Sequence, residues 1–148
     1  MGRTNRDRLL RRIGGTMAAA DMRIGCGPML GASPGMRAVW DVLERVAKTE
    51  TTVLVTGETG TGKGLFARTL HDRSRRREGR FVAINCGAVA ESMMEAELFG
   101  HAAGAFTGAT EARRGLLEAA NGGTLFLDEI GAMPVGSQAA LLRAMDER

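Results

Sequence analysis

Apolar residues recur at helical spacing from Met36 through Val39, Trp40, Leu43, Val46 and Ala47, which predicts an amphipathic helix ending near Lys48. The pattern then changes period. Thr52-Val53-Leu54-Val55-Thr56 is a short β-branched run that predicts a buried strand, and Gly57 to Gly62 breaks it. Leu65 to His71 predicts the next helix, Arg73 to Arg80 a charged loop, and Phe81-Val82-Ala83-Ile84-Asn85 a second strand. Glu91 to Phe99 predicts a short helix, Gly100 to Thr110 a Gly/Ala-rich loop, and Gly115 to Ala120 a helical turn or two. After the turn Asn121-Gly122-Gly123, Thr124-Leu125-Phe126-Leu127-Asp128 predicts a third strand. From Ser137 the chain reads as a helix with Ala140, Leu141, Ala144 and Met145 on one side. Strands alternating with helices imply parallel pairing through crossover helices, so the predicted class is α/β.

The 148 residues suffice for one domain, and no internal repeat divides them. Residues 1–23 are polar and lack sustained periodicity, which reads as a disordered basic arm or linker remnant. A Gly/Pro-rich stretch, Gly25 to Gly35, leads into the folded part, taken as residues 24–148. No apolar run approaches the roughly 20 residues that span a bilayer, so no membrane partner is expected. The Arg-rich N-terminus has no apolar stretch of signal-peptide length. Cys26 and Cys86 are too few for a disulfide framework and lack metal-ligand spacing. Reduced thiols and a cytoplasmic location follow as expectations.

Net charge is +3, and among 20 basic residues only Lys48 and Lys63 are lysines. Two clusters, Arg3 to Arg12 and Arg73 to Arg80, suggest nucleic acid at first sight. Neither has interleaved aromatics to stack on bases, and no apolar helix pair frames either one. They read as solvated segments.

Gly57-Glu58-Thr59-Gly60-Thr61-Gly62-Lys63 matches G-x-x-x-x-G-K, the Walker A pattern, between a predicted strand and a predicted helix. Glycines let the backbone curl so that successive N–H groups face phosphate oxygens. The following helix adds its positive N-terminal dipole, and Lys63 adds a mobile ammonium for the β- and γ-phosphates. The usual Ser/Thr hydroxyl for Mg²⁺ is absent, since Gly64 follows the lysine. Magnesium would then rely on phosphate oxygens, water and Asp128. The apolar run Leu125-Phe126-Leu127 ends in Asp128-Glu129, the Walker B form, and carries both acids to a strand's C-terminal edge, where α/β sheets bind ligands. Asp128 suits a magnesium shell, and Glu129 suits orienting an attacking water.

The stretch Gly104-Ala105-Phe106-Thr107-Gly108-Ala109 is more specific, because GAFTGA is the signature loop of bacterial sigma-54-dependent transcription activators. From about Leu30 to Arg148 the chain resembles the AAA+ ATPase domain of that family. Further matching blocks are Gly31-Ala32-Ser33-Pro34, the Walker A loop, Asn85-Cys86, Glu97-Leu98-Phe99-Gly100-His101, and Gly122 to Gly131. The resemblance implies a P-loop NTPase fold, ATP and Mg²⁺ as cofactors, and ATP hydrolysis. It also implies a hexameric ring for the full-length family, a loop that contacts the sigma-54 RNA polymerase holoenzyme, and DNA contact only through a C-terminal domain. It assigns Asn85 the task of holding Glu129 and signalling nucleotide state to the loop. Phe106 becomes an apolar tip offered to the partner, with Thr107 adding a hydroxyl. The alternative is that Phe106 folds back as a core anchor.

Two departures stand out: Ala102-Ala103 replace a charged pair that usually precedes the loop, and Gly64 stands where the family normally has Glu. The family domain continues past the last helix with a sensor strand, arginine fingers and a helical lid. That further strand belongs between the phosphate-loop strand and the Asp128 strand. The expectation is an N-terminal portion of the domain, binding nucleotide weakly with little or no turnover alone. A non-catalytic module that binds nucleotide or sigma-54 is the competing expectation.

Overall fold

The computed structural model describes residues 31, 33–106 and 108–146. The expected basic arm, the nucleic-acid question at Arg3 to Arg12, most of the Gly/Pro-rich lead, Cys26 and Thr107 lie outside the described residues.

Helix α1, Pro34–Val46, begins where the sequence can start one. Ser33 Oγ accepts from the Met36 N–H at 3.2 Å, and Pro34 occupies a first-turn position that has no N–H to satisfy. The helix buries Trp40 and Leu43, and Ala47 closes its end.

Thr52–Thr56 forms no strand, against expectation. An extended run becomes a strand only when a neighbour accepts and donates along its backbone, and no described segment lies in ladder with it. Leu54 is consequently 76% exposed.

Helix α2, Lys63–Arg73, follows the phosphate loop, with Arg73 in its last turn where positive charge suits the dipole. Strand β1, Phe81–Asn85, and strand β4, Thr124–Asp128, pair in parallel from Phe81↔Thr124 to Asn85↔Asp128, so their C-terminal ends coincide. Between them come helix α3 (Met94–Phe99), a two-residue antiparallel hairpin of β2 (Gly100–His101) and β3 (Arg113–Arg114), and the short helix α4 (Leu116–Ala119). The hairpin was not expected, because two-residue strands leave no alternation to read. Helix α5, Val135–Asp146, starts two residues before the expected Ser137.

Helix α2 covers one side of the parallel pair. His71 Nδ1 lies 2.9 Å from Thr124 Oγ1, and the Phe81 ring packs with His71 and Phe126 at centroid distances of 5.4 and 6.3 Å. A methyl group at Gly64 would come to 3.7 Å from Phe126 Cε1. The end of α2 therefore meets the start of β4, and its beginning lies further along the strand: the two run antiparallel. Elsewhere a core of Cys86, Met94, Leu98, Met133 and Leu141 gathers Ile84, Val89, Leu117, Leu127 and Met145. Each fully buried Met or Leu there contributes about 1.5–3 kcal/mol. A parallel sheet with flanking helices is the expected α/β class.

Candidate functional site

Antiparallel packing of α2 on β4 brings the start of α2 toward the end of the sheet where β1 and β4 finish. The phosphate loop and the strand-end acids are built at that end.

In the loop, Thr61 Oγ1 donates to the Glu58 carbonyl at 2.7 Å and Thr61 N–H donates to the same oxygen at 3.3 Å. Gly60 and Gly62 take φ of 84° and 90°, conformations that an L side chain rarely adopts. Lys63 Nζ donates to the carbonyls of Gly57 at 3.0 Å and Glu58 at 2.8 Å, so the ammonium lies folded over its own loop. Residues Gly57 to Thr61, including Thr59, are exposed, and Gly64 is exposed in the first turn of α2. The N–H groups of that first turn have no intrahelical acceptor.

Asp128 ends β4, and its Oδ1 accepts from the Glu129 N–H at 3.0 Å. Glu129 has φ 52° and is the only non-glycine with positive φ among the described residues. Such a conformation costs on the order of 1–3 kcal/mol and concentrates at functional positions. Glu129 is exposed, and a Cβ placed at Gly87 would lie 2.6 Å from Glu129 Oε2 and 3.3 Å from Asn85 Oδ1. Both side-chain oxygens thus face one glycine. Asn85 Oδ1 accepts from the N–H groups of Gly87 at 2.8 Å and Ala88 at 3.2 Å, capping the 3-10 turn Cys86–Ala88. The described hydrogen bonds include none from Asn85 Nδ2, the group that could donate to a carboxylate, to Glu129, while Asn85 Oδ1 accepts within the turn. Beneath them the buried Cys86 thiol is pushed up, first by burial and then by the charges of Asp128 and Glu129.

Among the described residues no group of three His, Cys, Asp or Glu side chains could hold a metal ion alone. One strand-end carboxylate, a lysine and free helix N–H groups suit a cation that arrives with a polyphosphate.

The Gly104–Ala109 loop hangs from β2 and β3. Gly104 N–H donates to the Ala109 carbonyl at 2.7 Å, Ala105 N–H to Ala102 at 3.2 Å, and Ala109 N–H to Phe106 at 3.0 Å. Gly104 and Gly108 have φ of 78° and 102°. Ala109 is buried, whereas Phe106 is 39% exposed and rests edge-on against His101, with centroids 4.9 Å apart and planes at 67°. It is neither a core anchor nor a fully projecting tip. An open cleft of about 450 Å³ lined by Phe99, His101, Arg113 and Arg114 lies at the loop's base. Arg113 pairs with Glu97 at 2.8 Å and Arg114 with Glu118 at 3.4 Å. The Arg73 to Arg80 cluster is similarly engaged, Arg73 with Glu44 and Arg76 with Glu50, which fits a solvated loop. Gly87 had no signal in the sequence and His101 had one only as the end of the Glu97–His101 block; what each does follows from what folds against it.

A profile of the sigma-54 interaction domain matches residues 29–148. The chain belongs to the sigma-54 interaction domain family. It is 55% identical over 120 residues to the transcriptional regulator NtrC of Azospirillum brasilense, covering 81% of this chain and 25% of that protein. It is 58% identical over 115 residues to the sigma-54-dependent activator SfnR of Pseudomonas putida, covering 78% and 31%. Among solved structures, NtrX from Brucella abortus superposes with TM-score 0.71 at 36% identity, over 95% of this chain and 29% of that one. A second NtrX structure, in complex with ATP, gives TM-score 0.69 at 35% identity, over 93% and 27%. The chain thus spans about a quarter to a third of the length of these curated relatives. Its fold is the one NtrX has over the superposed region, in line with the family match. No helix among the described residues is long and apolar enough to cross a membrane.

Proposed function

We propose that this sigma-54 interaction domain binds ATP with Mg²⁺ in the loop Gly57–Gly64 and forms part of an activator that couples ATP hydrolysis to remodelling of the sigma-54 RNA polymerase complex. The observation that carries this reading is the convergence of Lys63, Asp128 and Glu129 on one end of the parallel pair, through the antiparallel packing of α2 on β4. NtrX, at 35% identity, has been solved with ATP and with ADP.

In this reading the N–H groups of the loop and of the first turn of α2 take the phosphates. Lys63 Nζ leaves the neutral carbonyls of Gly57 and Glu58 for charged phosphate oxygens, and charge-assisted hydrogen bonds favour that exchange. Asp128 supplies the carboxylate for magnesium, which when bound neutralises phosphate charge. Glu129 orients the attacking water, and Asn85 supports it through the Cys86–Ala88 turn. Gly104, Ala105, Phe106, Thr107, Gly108 and Ala109 form the surface offered to sigma-54. The full-length protein works as a hexameric ring and reaches DNA through a separate C-terminal domain.

A second reading is a non-catalytic module that binds nucleotide or sigma-54 without turnover. It is favoured by Thr52–Thr56, which leaves the strand side of the phosphate loop untied to the sheet. One titration addresses both: a fluorescent ATP analogue with and without magnesium, against the chain and its Lys63→Ala variant, with phosphate release followed in parallel. Saturable binding lost in the variant supports the phosphate-loop assignment, and its absence in a folded chain overturns it. Turnover alongside binding selects the motor reading over the module.

A further inference from the structure

We infer that His101 is a positioning residue for the loop Gly104–Ala109: its imidazole is the platform on which Phe106 is docked, and a partner must lift the ring from it. This rests on the proposed role of Phe106 in meeting sigma-54.

The platform is anchored. His101 sits in β2, paired with Arg113 across the hairpin, and its Nδ1 lies 3.2 Å from the Ala102 carbonyl. The ring it carries is not. Phe106 belongs to a tip closed by the Gly104–Ala109 hydrogen bond. That tip is flanked by two positive-φ glycines with no atom within 4 Å of where a Cβ would stand. Neither glycine is packed against other atoms where a Cβ would stand, and a residue without a Cβ has a wide choice of backbone conformations at both positions. The edge-on contact, at 4.9 Å and 67°, is the arrangement that aromatic quadrupoles prefer. It leaves Phe106 39% exposed. The ring is thus held close to the body while one side stays open to be gripped.

A docked ring reduces apparent partner affinity by the fraction of molecules in which it is undocked. An aromatic pair of ordinary strength implies a penalty of about two- to tenfold. Replacing His101 by an aliphatic residue should remove that penalty, whereas Phe at this position should keep it. A merely structural role for His101 predicts the opposite sign, with weaker binding when the hairpin is damaged.

The test uses the whole chain as wild type, His101→Ala, His101→Phe and Phe106→Ala. Two-dimensional NMR reads the ring-to-ring contact, and titration with purified sigma-54 in the presence of an ATP analogue reads affinity. The expected result is a ring contact in wild type and His101→Phe, lost in His101→Ala, with sigma-54 bound about two- to tenfold more tightly by His101→Ala alone. A folded wild type without the ring contact overturns the inference, as does a His101→Ala variant that binds no more tightly. If His101→Ala fails to fold, His101→Leu takes its place: a folded His101→Leu that binds sigma-54 more tightly than wild type supports the platform, and one that does not overturns it. Binding that is absent throughout, or unaffected by Phe106→Ala, removes sigma-54 as the partner of this loop, and the NMR contact then stands or falls separately.

Discussion

His71 Nδ1 and Thr124 Oγ1 lie 2.9 Å apart although 53 residues separate them in the chain. This hydrogen bond joins the last turn of α2 to the first residue of β4. It marks the direction in which the phosphate-loop helix crosses the sheet, and hence which end of the sheet receives Lys63.

The same contact makes stability depend on pH. Burial lowers the His71 pKa below the ordinary imidazole value of about 6.5, the Arg68 guanidinium adds to this, and Asp72 and the Gly79 backbone oppose it. The unfolded chain therefore binds the proton more readily than the folded one, so protonation favours unfolding. The contribution of neutral His71 is intact above about pH 6.5 and declines as pH falls toward the lowered folded-state value. Urea unfolding followed by the emission of buried Trp40, the only tryptophan, should give a lower midpoint at about pH 5.5 than at about pH 7.5. His71→Gln should flatten that difference.

The start of the parallel ladder depends on a glycine. Thr124 N–H donates to the Arg80 carbonyl at 2.8 Å, and a Cβ on Gly123 would overlap that carbonyl oxygen and lie 2.7 Å from the Arg80 nitrogen. Backbone cannot swing away as a flexible side chain can. Gly123→Ala should cost about 1–3 kcal/mol in chemical denaturation. Gly131→Ala, where a Cβ meets nothing within 4 Å, should change stability by no more than about 0.5 kcal/mol.

Glu129 combines a strained backbone with the proposed water-orienting carboxylate. Glu129→Gly relieves the left-handed conformation at φ 52° and should raise stability by about 0.5–1 kcal/mol. It should leave binding of the ATP analogue in place while abolishing any phosphate release. A variant less stable than wild type would show that this carboxylate contributes more to the fold than its backbone costs.

Much of the molecule is legible without coordinates. The α1 start follows from Ser33-Pro34 and the 3.6-residue spacing of Met36, Trp40 and Leu43, which are local features. β1 and β4 follow from short apolar runs bounded by glycine and charge, and the phosphate loop from its glycines and lysine. Thr52–Thr56 has equally good strand chemistry, yet a strand is a relation between two backbones and this one has no described partner. The β2–β3 hairpin is too short to have a period. Asn85 reads as a strand-end residue, and its use in capping the Cys86–Ala88 turn depends on how the chain bends after β1.

Residue order along the chain accounts for the helices, two of the three expected strands, and the kinds of atoms available to the proposed phosphate, magnesium and partner sites. Those properties are local: spacing, turn chemistry and charge act over a few residues. Which end of the sheet meets the phosphate loop, which glycine Glu129 lies over, and where Phe106 rests are products of packing. His71 on Thr124, Glu129 over Gly87 and Phe106 on His101 each join separate elements or opposite sides of a loop. Such contacts depend on the relative placement of whole elements, and burial of the shared core imposes that placement only after the chain has closed on itself.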